Sequence, residues 1–251
     1  MRLKGFKYIF YANLMLSFLP GSIKAQEFQR SYSLGTGKEI RVGNVSGDVK
    51  ITGSDGESIY VAGYKDGPDR DMVQIEDASN ADRVDLKVKY PETRRCNASV
   101  HFEIRVPRGI SYDFNRISSV SGNVEITEVA GKIKAESVSG NVYVRNVNGG
   151  IVSASSVSGN VVGEIAQMQD AAGIGEMKFS SISGNVDVKA PASIDAAINL
   201  SSISGSVKTD FPIEMHEKRY GPGQSASGQV GNGSHSLRLS TISGHVHLSR
   251  R

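Results

Sequence analysis

The chain has 251 residues, with 29 lysines and arginines against 26 aspartates and glutamates, a single cysteine and no tryptophan. That length suits one elongated domain, and one cysteine excludes a fold stapled by intrachain disulfides, so packing alone must hold it. The net charge of +3 gives no case for nucleic acid: Arg2, Lys4, Lys7 and Lys24 stand in the first 25 positions, which hold no acid, and the rest balances at 25 basic against 26 acidic.

Those first residues read as an export signal. Three basic residues precede an apolar run from Tyr8 to Leu19, then Pro20, Gly21 and a small-residue cut after Ala25. The run is too short to span a bilayer. The expectation is a signal peptide over residues 1–25 and a single domain over 26–251. The mature chain would have no transmembrane span and no lipid-anchoring cysteine, and would be exported to the periplasm or surface of a bacterium.

From Phe28 to Asp66 the chain is strand-like, with Ile40, Val42, Val45, Val49, Ile51, Ile59 and Val61 punctuated by Gly43, Gly47, Gly53 and Gly56. This predicts an opening coil that also caps the apolar end of a stack. Residues 67–82 are polar around a short strand at Val73 and Ile75. Their aspartates lack both EF-hand spacing and the glycine-rich nonapeptide of calcium β-rolls, so a solvated loop is expected there and no metal site. Two alternating strands follow, Val84-Leu86-Val88 and Val100-Phe102-Ile104-Val106, each with charged residues on its other face.

SVSGNV then occurs three times, from Ser119, Ser137 and Ser156. Variants begin at Asn44, Ser181, Ser202 and Thr241. Gly122, Gly140 and Gly159 are 18 and 19 residues apart, and weaker echoes, EVAGKI from Glu128 and NVNGGI from Asn146, lie midway. Two strands and two corners fit each interval, so the period is that of an all-β, single-stranded β-solenoid (β-helix or β-roll). Its coils would hold about 18–21 residues, with a strand-rich cap at the N-terminal side. Val120, Val124 and Ile126 in one copy, and Val138, Val142 and Val144 in the next, are expected to point inward and stack coil on coil. The Ser-Gly-Asn step is expected to turn the chain through positive φ. The alternative is that Asn123, Asn141, Asn160 and Asn185 form a ligand-binding polar ladder along the stack.

Two insertions widen the glycine interval to 25 residues before Gly184 and 39 before Gly244. The second, residues 211–236, is glycine-rich and charged. It is the loop best suited to meet a partner.

Catalytic chemistry finds little support. A polysaccharide lyase or glycosidase needs carboxylates gathered on one face, yet the outward residue after each repeat valine runs Glu125, Tyr143, Val162, Asp187, Lys208 and His247. His245 and His247 are spaced to share a strand face but lack a third ligand nearby, with only His101, His216 and His235 elsewhere. Cys96 is either passive, a reactive thiol or an intermolecular bridge. No nucleotide loop, GxSxG elbow or CxxC pair occurs. No catalytic, cofactor-binding or metal-binding residue is assigned, and no cofactor is expected.

EIRVGNVSGDVKITG from Glu39, FEIRVPRG from Phe102 leading into SVSGNVEI, the serine-glycine repeats, and GQVGNGSHSLRLSTISGHVHL from Gly228 together resemble the bacterial putative-adhesin domain family. This is a β-strand-repeat domain of unknown function found in exported proteins, and the resemblance spans nearly all of the mature chain. It implies a right-handed or similarly coiled solenoid, an envelope or surface location and an adhesive or scaffolding role. It carries over no catalytic residues, and it makes the insertion after Phe211 part of the family pattern. The expected protein is a non-enzymatic scaffold or adhesin that meets an envelope protein, a polysaccharide or its own copy. A carbohydrate-active enzyme and a periplasmic sensory or structural domain are the alternatives.

Overall fold

The computed structural model describes residues 26–92, 95–167, 175–217 and 223–251. The expected export signal lies outside these residues. Among the described residues there are twenty β-strands and one 3-10 turn, Arg70–Met72, and no helix is long and apolar enough to cross a membrane.

The chain winds as a single-stranded β-solenoid, each coil giving one strand to each of two parallel stacks. The first stack holds, in spatial order, Arg83–Lys89, Glu39–Ser46, Ser111–Ser121, Ala130–Ser139, the second half of Val142–Ser158, Glu176–Ser183, His235–Ser243 and Ala196–Ser204. The second holds Ser99–Pro107, Val49–Ser54, Val124–Thr127, the first half of Val142–Ser158, Val161–Gln167, Val186–Ala190, Val246–Arg250 and Val207–Thr209.

Like residues stand above like. Val49, Val124, Val142, Val161, Val186, Val246 and Val207 form one buried column. In the next column Gly163 pairs with Val144 and Val188, where a valine would be expected. The Phe179 ring fills that space, 2.4 Å from where a Gly163 Cβ would be.

The spatial order departs from the sequence order at both ends. The first coil, 39–54, does not open the stack: it lies between the coil of 83–107 and that of 111–127. The last coil, 235–250, likewise lies between 176–190 and 196–209. Each therefore has both strand edges paired. The outermost coils are closed by antiparallel strands that end parallel growth and cover bare backbone groups. Gln74–Asp77 covers Arg83–Lys89, while Ile59–Asp66 covers Ser99–Pro107 and is itself covered by Gln26–Tyr32. At the other end the 211–236 insertion supplies the cap. Its strands Gln224–Val230 and Glu214–Glu217 add antiparallel onto Ala196–Ser204, and the Gln224 side chain accepts the Val207 N–H at 2.9 Å. The expected partner-binding loop is thus a structural lid.

Two valines expected inside are outside. Ser119 and Ser137 are buried, so by alternation Val120 and Val138, one residue on, face solvent. The even spacing from Val120 to Val124 misleads because the Gly-Asn corner between them resets the facing.

The inward serines button the coils together. Ser119, Ser137, Ser156, Ser181, Thr241 and Ser202 each donate a hydroxyl to the carbonyl of a repeat glycine one coil away, at 2.8–2.9 Å. Beside them, side-chain oxygens accept backbone N–H groups from the next coil. Asp48 takes Asn123, Asn123 takes Asn141, Asn141 takes Asn160, Asn160 takes Asn185 and Asn185 takes His245, all at 2.8–2.9 Å. The asparagines of the alternative reading do form a ladder, from side-chain oxygen to backbone N–H, and those oxygens are spent on the fold.

Ser137→Ala should leave the Gly122 carbonyl without its buried donor, costing about 1–3 kcal/mol. The exposed Ser139→Ala should stay within about 0.5 kcal/mol of the parent. Thermal unfolding of the two variants side by side checks this.

Candidate functional site

The outward side of the first stack carries a surface that repeats once per coil. Val45, Val120, Val138, Val157, Ile182 and Ile242, with Ile203 closing the row, form a line of aliphatic side chains, each 39–51% exposed. Monomeric surfaces scatter such residues singly; here the strand register places them one above another, each flanked by paired polar residues that are serines except at Asn44 and Thr241.

Two residues back along each strand, and so on the same face, runs a column of short residues broken by one glutamate: Gly43, Ser118, Glu136, Ser155, Ser180, Ser240 and Ser201, all in register. Two further back stand long cationic side chains, Arg41, Arg116, Lys134, Lys178 and Arg238, with Ser153 and Asn199 on the remaining rungs. Small residues between two taller rows make a groove. A depression of about 370 Å³ is lined by Ser118, Glu136, Ser155 and Ser180 on its floor, Val120, Val138, Val157 and Ile182 on one side, and Arg116. Another of about 540 Å³ continues it past Arg116 and Val120 to Arg41, Val45 and Lys87.

The groove's cations differ in their pairing. Arg41 is held by Glu39 at 2.7 Å, and Lys134 donates to the Asn115 side-chain oxygen Oδ1 at 3.3 Å. Arg116, Lys134, Lys178 and Arg238 make no ion pair among the described residues.

The opposite face has its charges largely satisfied. Glu125 lies 4.0 Å from both Lys50 and Arg145, Glu164 is 3.3 Å from Arg251, and Asp187 is 3.9 Å from His247. The outward column reads, in space, Glu103, Lys50, Glu125, Tyr143, Val162, Asp187, His247, Lys208. Glu125 and Asp187 are three strand spacings apart, about 14 Å, beyond the reach of paired glycosidase carboxylates. Glu103 and Glu125 are two spacings apart with Lys50 between them.

The histidines do not converge. The His245 ring nitrogen Nδ1 lies 2.8 Å from the Ser206 hydroxyl, continuing the asparagine ladder, while the His101 Nδ1 accepts the Asp48 N–H at its far end. His247 faces Asp187, and His216 lies 3.1 Å from the Ser227 hydroxyl. Among the described residues no group of three histidine, cysteine or carboxylate side chains is placed to hold a metal. Cys96 is half-buried, and burial followed by the nearby Asp69 charge pushes its thiol upward, away from the reactive thiolate.

The groove was not anticipated from the sequence, although its signal is there: every repeat has an aliphatic residue directly after the buried serine or its equivalent, a position alternation turns outward.

These features define a capped parallel β-solenoid with hydroxyl-buttoned coils and one amphipathic groove along its axis. The chain belongs to the Toastrack DUF4097 family, whose model matches residues 35–249. Two crystal structures share the likeness. One, described as a putative cell adhesion protein from Clostridium sporogenes ATCC 15579, is 12% identical with a TM-score of 0.47, covering 89% of this chain and 99% of that one. The other, described as a putative adhesin from Bacteroides fragilis NCTC 9343, is 16% identical with a TM-score of 0.38, covering 89% of this chain and 96% of that one. No curated protein matches the chain.

Proposed function

We propose that this protein is exported and serves as a non-catalytic envelope scaffold or adhesin, using a repetitive outer surface to contact a polysaccharide or another protein. The groove carries this reading. Its aliphatic column runs unbroken over successive coils, with the polar floor and most rungs of the cation column beside it, as a contact surface for an extended partner requires, whereas a catalytic site concentrates unlike groups at one place. The signal-like residues 1–25 support export.

Two measurements test it. Protease added to intact cells should cleave the native protein, and a protected soluble pool would favour a periplasmic sensor or structural domain instead. Polysaccharides incubated with the pure protein should yield no new reducing ends. Reproducible release that disappears in Glu125→Gln would make this an enzyme.

A further inference from the structure

The geometry points to a specific occupant for the groove, and this step rests on the scaffold reading above: we infer that it seats a linear anionic glycan, a chain of sugar units bearing carboxylates, laid along the solenoid axis.

Period is the first reason. The rungs of the groove repeat at the strand spacing of about 4.8 Å, whereas an extended peptide advances about 3.3 Å per residue. A peptide lying along the axis falls out of step within two rungs. A pyranose unit advances a linear glycan by about one rung, so each sugar stands against its own rung of aliphatic wall and polar floor.

Chemistry is the second. The serine floor at Ser155, Ser180, Ser240 and Ser201 offers each sugar a hydroxyl that both donates and accepts. The aliphatic wall suits the C–H face of a sugar ring. The cations of the far wall, Arg116, Lys134, Lys178 and Arg238, are free of ion pairs among the described residues and recur on most rungs, which is complementarity to a polymer charged at every unit. Two carboxylates oppose this, Glu136 in the floor between Ser118 and Ser155 and Asp85 at the end near Arg41 and Lys87, against those four cations.

Other occupants fit less well. The aliphatic line is one side chain wide and six spacings long, about 29 Å, too narrow for the roughly 800 Å² per partner that a stable dimer of this chain needs. A membrane-surface site would set bulky aromatic or leucine side chains beside its cations, and this wall is valine and isoleucine alone.

The probe is polygalacturonate, titrated against the full mature chain by calorimetry, with neutral pullulan, poly-glutamate and phosphatidylglycerol vesicles as comparators. Polygalacturonate should bind, and bind more tightly than all three. The double variant Lys134→Glu/Lys178→Glu and the single variant Val157→Asp should each weaken it about tenfold or more. Glu136→Gln should tighten it, and Lys208→Glu on the opposite face should leave it unchanged. Matched thermal midpoints would show that the losses are not unfolding. Equal or tighter binding of pullulan, poly-glutamate or vesicles, equal loss in Lys208→Glu, or no binding of polygalacturonate would each overturn the inference. Failure here in a protein that protease strips from intact cells and that releases no reducing ends removes the ligand and leaves the scaffold reading standing.

Discussion

Gly140→Val is expected to break the stack at its centre. A Cβ on Gly140 would stand 2.1 Å from the Gly122 carbonyl oxygen and 2.5 Å from its carbon. Both obstacles are backbone, so no rotamer change relieves the clash, and the coils must separate or twist. Separation would lengthen the Ser137 bond to the same carbonyl, now 2.8 Å, and the backbone bond from Gly122 N to Ser139 O. A cost of about 3 kcal/mol or more is expected, placing the change among the severe class of core substitutions. Gly140→Ala should be nearly as damaging, because the first carbon already collides. Gly109→Ala meets nothing within 4 Å and should be close to neutral. Denaturant midpoints for the three variants settle the matter. A near-neutral Gly140→Ala would mean that the repeat glycines do not stack.

The reason differs from the one the sequence suggests. Glycine followed by asparagine implies positive φ, yet among the repeat glycines φ is positive only at Gly47, Gly205 and Gly244, at 106°, 159° and 151°, where Asp48, Ser206 and His245 follow. Gly122, Gly140, Gly159 and Gly184 are not among the positive-φ residues, yet each would place a Cβ about 2.0–2.1 Å from the carbonyl oxygen of the glycine one coil before. Clearance between coils demands glycine there, and no single copy of the repeat reveals a contact that exists only between copies. The left-handed positions lie instead at the echo corners, where Glu128 and Asn146 have φ of 58° and 50°. Asparagine tolerates that region at low cost. Glu128 is tied down by a hydrogen bond from Arg108.

Fold class was legible because the signal is redundant. Seven versions of one hexapeptide at near-constant spacing leave little besides a stack, and alternation in strands such as Val84–Val88 and Val100–Val106 gives their facing directly. Coil order was not legible, since nothing local in NVSGDV or TISGHV says that its coil will be inserted between two others rather than added at an end. The 211–236 segment misled for a related reason: its glycines and charges describe a loop equally well, and only the bare edge of Ala196–Ser204 recruits it as strands. The groove was half legible. The aliphatic residue after each buried serine was visible as hydrophobic, and hydrophobicity alone sent it to the core.

Val142→Asp and Val138→Asp separate those two environments by four residues of one strand-and-corner. Val142 is fully buried between Val124 and Val161 in the valine column. Replacing it forfeits about 1.5–3 kcal/mol of burial and leaves a carboxylate with no cation in the column, so it must stay desolvated or take up a proton at further cost. The sum is a large part of a domain's usual 5–15 kcal/mol. Because each coil leans only on its neighbours, the damage should start in the coil of 130–145 and spread to those of 111–127 and 148–167, with protease cutting there first and strand signal falling in far-ultraviolet circular dichroism. Val138, 46% exposed, should accept aspartate with a change within about 0.5 kcal/mol, while the same substitution places a charge in the aliphatic wall and should weaken polygalacturonate binding. Stability lost at one site and binding lost at the other would tie both halves of the repeat to separate tasks, core and contact surface. Equal destabilisation by the two substitutions would put Val138 back in the core and remove the groove.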